Sequence, residues 1–83
     1  MTRFVFNPET VQFVRQMCAH AGGSRHPRDV LEEVAEAFED GESHYSLVLG
    51  DIKDGRNVML MTLHMWASES GELIDDDKKN QGE

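Results

Sequence analysis

Carboxylates are the most numerous side chains in this sequence that could do chemistry, and six of them recur at three- and four-residue spacing. That spacing places them on one side of a helix. They are Asp29, Glu32, Glu33, Glu36, Glu39 and Asp40. Catalysis by carboxylates needs opposed groups in a pocket that shifts their pKa values, and a row on one helix face does not supply it. We therefore interpret the row as a solvated face or as a binding surface for a protein with a basic surface.

The segment 22–28 has the composition of an anion site. Two adjacent glycines allow a ligand close to the backbone, a helix start follows, and two guanidinium groups can hold an anion. The candidate anion-binding residues are Gly23, Ser24, Arg25, His26 and Arg28. The same composition is also typical of a plain turn between helices, and it lacks the preceding strand and fixed glycine spacing of nucleotide-binding loops. Both interpretations stay open.

The four histidines and the one cysteine do not predict a metal centre. Cys18 and His20 lack the paired spacing of structural zinc ligands, and no His-Glu-x-x-His motif occurs. Cys18 falls on an apolar helical stripe with no base nearby in sequence, so we interpret it as a small core residue. We predict no catalytic residue, no metal and no cofactor.

Composition narrows the function classes further. The chain has 83 residues, 39% of them hydrophobic, and a formal charge of −8, which is typical of one small globular domain. This charge argues against direct binding of nucleic acid, which depends on Lys and Arg. No apolar run is long enough to cross a membrane, and no signal peptide pattern is present. With a single cysteine, these features predict a cytoplasmic protein.

Two amphipathic helices must position the acidic row and the 22–28 segment. Asn7 followed by Pro8 predicts the start of a helix over 8–21, which ends at paired glycines. Pro27 predicts the start of a second helix over 27–40, with Ser24 or His26 as its cap. Its apolar residues cluster on the side opposite the acidic row, and Gly41 ends it.

Strands flank the helices. Residues 4–6 predict a short first strand. After Gly41 the hydropathy period changes to two, which predicts strands over 43–50 and 58–66, joined by a segment that contains Asp-Gly. A helix across 57–68 is the alternative interpretation of the second strand, because Met and Leu also favour helices.

The predicted fold is therefore an α+β single domain in the order β-α-α-β-β. Two helices pack on one face of an antiparallel sheet that is dominated by a C-terminal hairpin. We place this domain at residues 1–66 and an acidic, largely disordered tail at 67–83, where only Leu73 and Ile74 could pack.

The second hairpin strand is apolar on both faces, which predicts self-association. We expect Met59, Met61, Leu63 and Met65 to cover the helices. The opposite face of a three-stranded sheet would then expose a patch that marks an interaction site. The candidate homodimer residues are Tyr45, Val58, Leu60 and Trp66, with Val48 as the alternative to Tyr45. Alternatively, the Leu73-Ile74 segment folds back over this patch.

The function predicted from these features is that of a non-enzymatic protein-binding module, an inhibitor or adaptor that occupies a partner's surface. In size and charge the chain is similar to small acidic phage proteins that block host enzymes, a likeness of composition only. One alternative is a DNA mimic whose carboxylates stand where phosphates would lie. Another is a regulatory domain that binds a small anionic ligand in the 22–28 turn. The identity of the partner does not follow from the sequence.

Overall fold

The computed structural model describes residues 2–22, 25–53 and 56–75, with the backbone alone for 51–53 and 56–59. In chain order the elements are β1 (Thr2–Phe6), α1 (Pro8–His20), α2 (Pro27–Glu39), β2 (His44–Lys53), β3 (Arg56–Trp66), α3 (Ala67–Ser70) and β4 (Gly71–Asp75). The predicted α+β class, with two main helices and a C-terminal hairpin, is confirmed. Residues 57–66 form a strand and not the alternative helix.

The strands form two separate two-stranded antiparallel sheets. In the hairpin, β2 pairs with β3 from His44 opposite Trp66 to Lys53 opposite Arg56. The other sheet consists of β1 and β4. The single sheet expected from the sequence is therefore divided, because the described part of β1 pairs with β4 and not with the hairpin.

The segment from Ala67 to Asp75 differs from the tail that we predicted to begin at residue 67. It forms a short helix and then a strand that pairs with β1. Leu73 and Ile74 lie in this strand, so they do not fold back over the hairpin in the way the alternative prediction required. Residues 76–83 lie outside the described part of the chain.

The helix ends follow local sequence signals. The Asn7 side chain accepts a hydrogen bond of 2.8 Å from the backbone N–H of Thr10 at the start of α1. At the start of α2, His26 Nδ1 accepts a hydrogen bond of 3.1 Å from the backbone N–H of Arg28. After α2, Gly41 has a φ of 104°, the left-handed conformation that glycine adopts readily. Both helices end within one residue of their predicted positions.

The core lies between the helices and the two sheets. Phe38 of α2 packs against Phe4 of β1 with ring centroids 4.8 Å apart. The other buried apolar side chains come from both helices, from Ala21 directly after α1 and from the hairpin: Val14, Cys18, Ala21, Val30, Val34, Leu47, Leu49, Leu63 and Met65. Cys18 is thus a core residue, and its burial raises the pKa of the thiol. Met61 packs against the same core, as expected. The side chain of Met59, which we expected there too, is not among those that the structure describes.

Candidate functional site

One face of the hairpin points away from the core, and we call it the outer face. Its side chains alternate along the strands with the buried ones, as the period of two requires. They are His44, Ser46, Val48, Leu60, Thr62, His64 and Trp66. Val48 is 56% exposed, Leu60 45% and Trp66 49%. Large apolar side chains are therefore grouped in contact with solvent on this face.

Three aromatic rings form a cluster at one end of the outer face. His44 and Trp66 are directly opposite in the strand register, and their ring centroids are 4.8 Å apart. His64 stacks beside His44, and the two imidazoles share a hydrogen bond of 3.1 Å between Nε2 of His44 and Nδ1 of His64. Each ring restricts its neighbours, so this cluster is a preformed surface whose binding costs little side-chain entropy.

The apolar surface continues from the hairpin toward α1. Phe13 of α1 is 43% exposed. Together with Trp66 and His64 it lines a cleft of about 330 Å³. The outer face thus meets a concave region at the edge where a partner's side chain could insert.

Tyr45 does not lie on the outer face. The sequence left either Tyr45 or Val48 as a residue of this face. Tyr45 pairs with Met65 in the register, so both side chains are on the core side of the hairpin. The Tyr45 hydroxyl donates a hydrogen bond of 2.5 Å to Glu33 on α2. Val48, the other alternative, occupies the outer face instead. The side chain of Val58 is outside the description.

Glu33, one of the six carboxylates in the acidic row, links three parts of the fold. Its Oε1 accepts from the Arg25 guanidinium and its Oε2 accepts from the Tyr45 hydroxyl, each at 2.5 Å. The hydrogen bond from Tyr45 and then that from Arg25 lower the pKa of Glu33. The bond to Glu33 in turn raises the pKa of Tyr45. Glu39 is also engaged, since its Oε2 accepts the backbone N–H of Phe4 at 2.8 Å.

The other four carboxylates of the row remain exposed along α2, and we call them the acidic strip. They are Asp29, Glu32, Glu36 and Asp40. None of them has a hydrogen-bond or ion-pair partner within the described residues. Because α2 packs its opposite side into the core, the acidic strip and the outer face lie on different sides of the molecule. A basic partner surface would meet the strip without touching the hairpin.

Two of the three described residues of the predicted anion site share one cleft. His26, whose side chain caps α2, and Arg28 line a cleft of about 530 Å³ together with Arg15 of α1. Arg25 is bound to Glu33 instead. Gly23 and Ser24 lie outside the described residues. The sequence contains no local signal for Arg15, because its position beside Arg28 depends on how the two helices pack.

No protein-family model matches this sequence, and no curated protein or solved structure matches the chain. Among the described side chains, no three His, Cys, Asp or Glu residues are grouped in a way that could hold a metal ion. In the same part of the chain, no helix combines the length and apolarity that crossing a bilayer requires.

Proposed function

We propose that this chain is a non-enzymatic protein-binding module whose main binding surface is the outer face of the hairpin. The observation that carries this proposal is the exposure of Val48 and Leu60 on the same face as the aromatic cluster that contains Trp66. Exposed apolar side chains grouped on one face mark interaction sites on soluble proteins, and exposed tryptophan is a frequent anchor of binding energy.

The partner we propose for this face is a second copy of the chain. A two-stranded sheet that is covered on one side only can bury its other side against the same face of a two-fold related copy. Charge supports this choice. The described side chains of the outer face include no carboxylate. Two chains of charge −8 can therefore approach through this face without opposing carboxylates at the contact.

The finer parts of the proposal concern the target and the compartment. The acidic strip on α2 fits a basic protein surface, so the module would act as an inhibitor or adaptor that covers such a surface. In the DNA-mimic version of this proposal the basic surface is that of a nucleic-acid-binding enzyme, and the affinity would fall steeply with added salt. A buried, unpaired Cys18 thiol suits a reducing cytoplasm.

Sedimentation tests the self-association. We expect the wild-type chain to sediment in the tens-of-micromolar range with about twice its chain mass of 9.4 kDa. Leu60→Asp places a charge on the outer face beside Val48 and should give the monomer mass. The matched control is Leu73→Asp, because Leu73 is 51% exposed but lies in the other sheet. This control should remain dimeric.

Far-ultraviolet circular dichroism shows whether each variant keeps its fold. A wild-type mass that stays at 9.4 kDa over the whole concentration range would overturn the self-association. A dimer that persists in folded Leu60→Asp and dissociates in folded Leu73→Asp would place the interface on the β1–β4 sheet instead.

A further inference from the structure

The cleft between α1 and α2 has an apolar floor. Phe6 of β1, Val11 of α1 and Leu31 of α2 line it, and all three are only half-buried by the rest of the described chain. Its volume of about 530 Å³ falls within the range of roughly 300–1,000 Å³ that is typical of small-molecule sites. The cleft can therefore accept an apolar chain.

The edge of this cleft is cationic in a chain that is acidic overall. Arg15 and Arg28 both line it, and neither side chain has a hydrogen-bond or ion-pair partner within the described residues. By contrast, Arg25 is paired with Glu33. In a chain with 16 acidic and 8 basic residues, two arginines that have no partner among the described residues are available to a ligand on this cleft.

The position of Arg28 does not stabilise its own helix. Arg28 is the second residue of α2. The positive end of the helix dipole lies there and disfavours a cation. A bound anion would remove this conflict, because the dipole and the guanidinium would then attract the same charge. Arg15 reaches the same cleft from a different helix, so the cationic edge comes from two elements.

We propose that this cleft binds a medium-chain fatty carboxylate, with its carboxylate held by Arg15 and Arg28 and its alkyl chain on Phe6, Val11 and Leu31. Guanidinium groups bind carboxylates through paired hydrogen bonds, and the floor removes the alkyl chain from water. The chain's net charge of −8 repels a protein segment with several carboxylates far more than a ligand with one. This site is independent of the outer face and of the function proposed for it.

An NMR titration of the whole chain with three probes separates the contributions of charge and alkyl chain. The probes are decanoate below its micelle concentration, decanol and acetate. We expect decanoate to shift the backbone amide signals of Val11, Arg28 and Leu31, and to bind at least about tenfold more tightly than decanol. Acetate should not saturate, because it lacks the alkyl chain.

Variants identify the residues that hold the carboxylate. The double variant Arg15→Gln/Arg28→Gln should bind decanoate at least about tenfold more weakly and decanol unchanged. Arg3→Gln removes one positive charge from a residue that does not line the cleft and should bind like the wild type. Glu32→Gln should bind decanoate more tightly, because Glu32 also lines the cleft and repels the ligand.

Three results would overturn the site: equal affinities for decanoate and decanol, unchanged decanoate binding in the folded double variant, or shifts confined to Leu60 and Trp66 on the outer face. The last result would mean that decanoate binds the surface that we propose for self-association. Sedimentation of the double variant distinguishes the two proposals. Loss of the two guanidinium groups should leave its sedimenting mass equal to that of the wild type.

Discussion

Among single residues, Glu33 links α2 to the hairpin through a side-chain hydrogen bond. Its carboxylate joins Arg25, from the turn before α2, to Tyr45 on β2. Nothing local in the sequence distinguishes Glu33 from its five acidic neighbours. Its role depends on α2 lying over the core face of the hairpin, which brings Tyr45 within hydrogen-bond distance.

Because the pKa of Glu33 is lowered in the folded chain, the stabilisation that this carboxylate contributes depends on pH. The contribution is complete above the ordinary pKa of a glutamic acid and is lost as the pH falls through the lowered value. Since Glu33 is partly exposed and screened by solvent, we expect a contribution of about 1 kcal/mol. We therefore compare urea unfolding at about pH 6 and pH 3. The unfolding free energy of Glu33→Gln should fall between these pH values by about 1 kcal/mol less than that of the wild type.

Glu32→Gln is the control for this experiment, since Glu32 is exposed on the same helix. It should keep the wild-type dependence of stability on pH, whereas Tyr45→Phe should reduce that dependence because Tyr45 supplies the largest effect on the Glu33 pKa. The same pH dependence in Glu33→Gln and wild type would contradict the role given to this carboxylate.

Residues with local roles were predictable, and those with tertiary roles were not. Asn7 and Gly41 act within a few residues of the helix end that each one defines, so the sequence alone identifies them. Tyr45 could be assigned to either hairpin face, because the strand register that opposes it to Met65 is a tertiary property.

Among the elements, β4 is the strand that the local sequence does not predict. Residues 67–72 have no apolar periodicity, so the sequence predicts a tail there. Instead, tertiary hydrogen bonds hold this segment. The backbone N–H of Asn7 donates to the carbonyl of Ser70 at 2.9 Å, and the Asn7 amide group donates to the carbonyl of Glu69 at 3.0 Å. These bonds place Gly71 at the end of β1.

Gly71 allows β1 and β4 to approach closely, so Gly71→Ala should separate them. An added Cβ would overlap the carbonyl oxygen of Val5 and lie 2.9 Å from Cα of Phe6, both backbone atoms of β1. We expect a loss of about 2 kcal/mol in unfolding free energy, as for other overpacked sites. Hydrogen exchange of the β1 amides should become faster as β4 detaches.

Gly41→Ala is the matched control for the Gly71 experiment. An added Cβ at Gly41 meets no atom within 4 Å, so its cost is limited to backbone strain at positive φ, about 1–2 kcal/mol. The β1 amides of Gly41→Ala should exchange faster only to the extent that its lower global stability explains. Wild-type protection of the β1 amides in Gly71→Ala would show that the two strands tolerate a side chain at this contact.

On the scale of the whole molecule, the described residues form three surfaces with different chemistry. The outer face is apolar and belongs to the hairpin, the acidic strip belongs to α2, and the cleft with Arg15 and Arg28 lies between the helices. The alternation of residues in β3 predicted that Leu60 and Trp66 share a face. The cleft was not predictable, because it exists only where β1, α1 and α2 meet.

The one tryptophan of the chain lies on the outer face and reports directly on the central claim, that this face binds a second copy. Trp66 is 49% exposed in the single chain, so acrylamide should quench its fluorescence efficiently in dilute solution. As the protein concentration rises through the micromolar range, we expect the quenching constant to fall and the emission to shift to shorter wavelength, and Leu60→Asp should keep the dilute values throughout. A wild-type quenching constant that does not change with concentration, while sedimentation over the same range shows no dimer, would contradict the account.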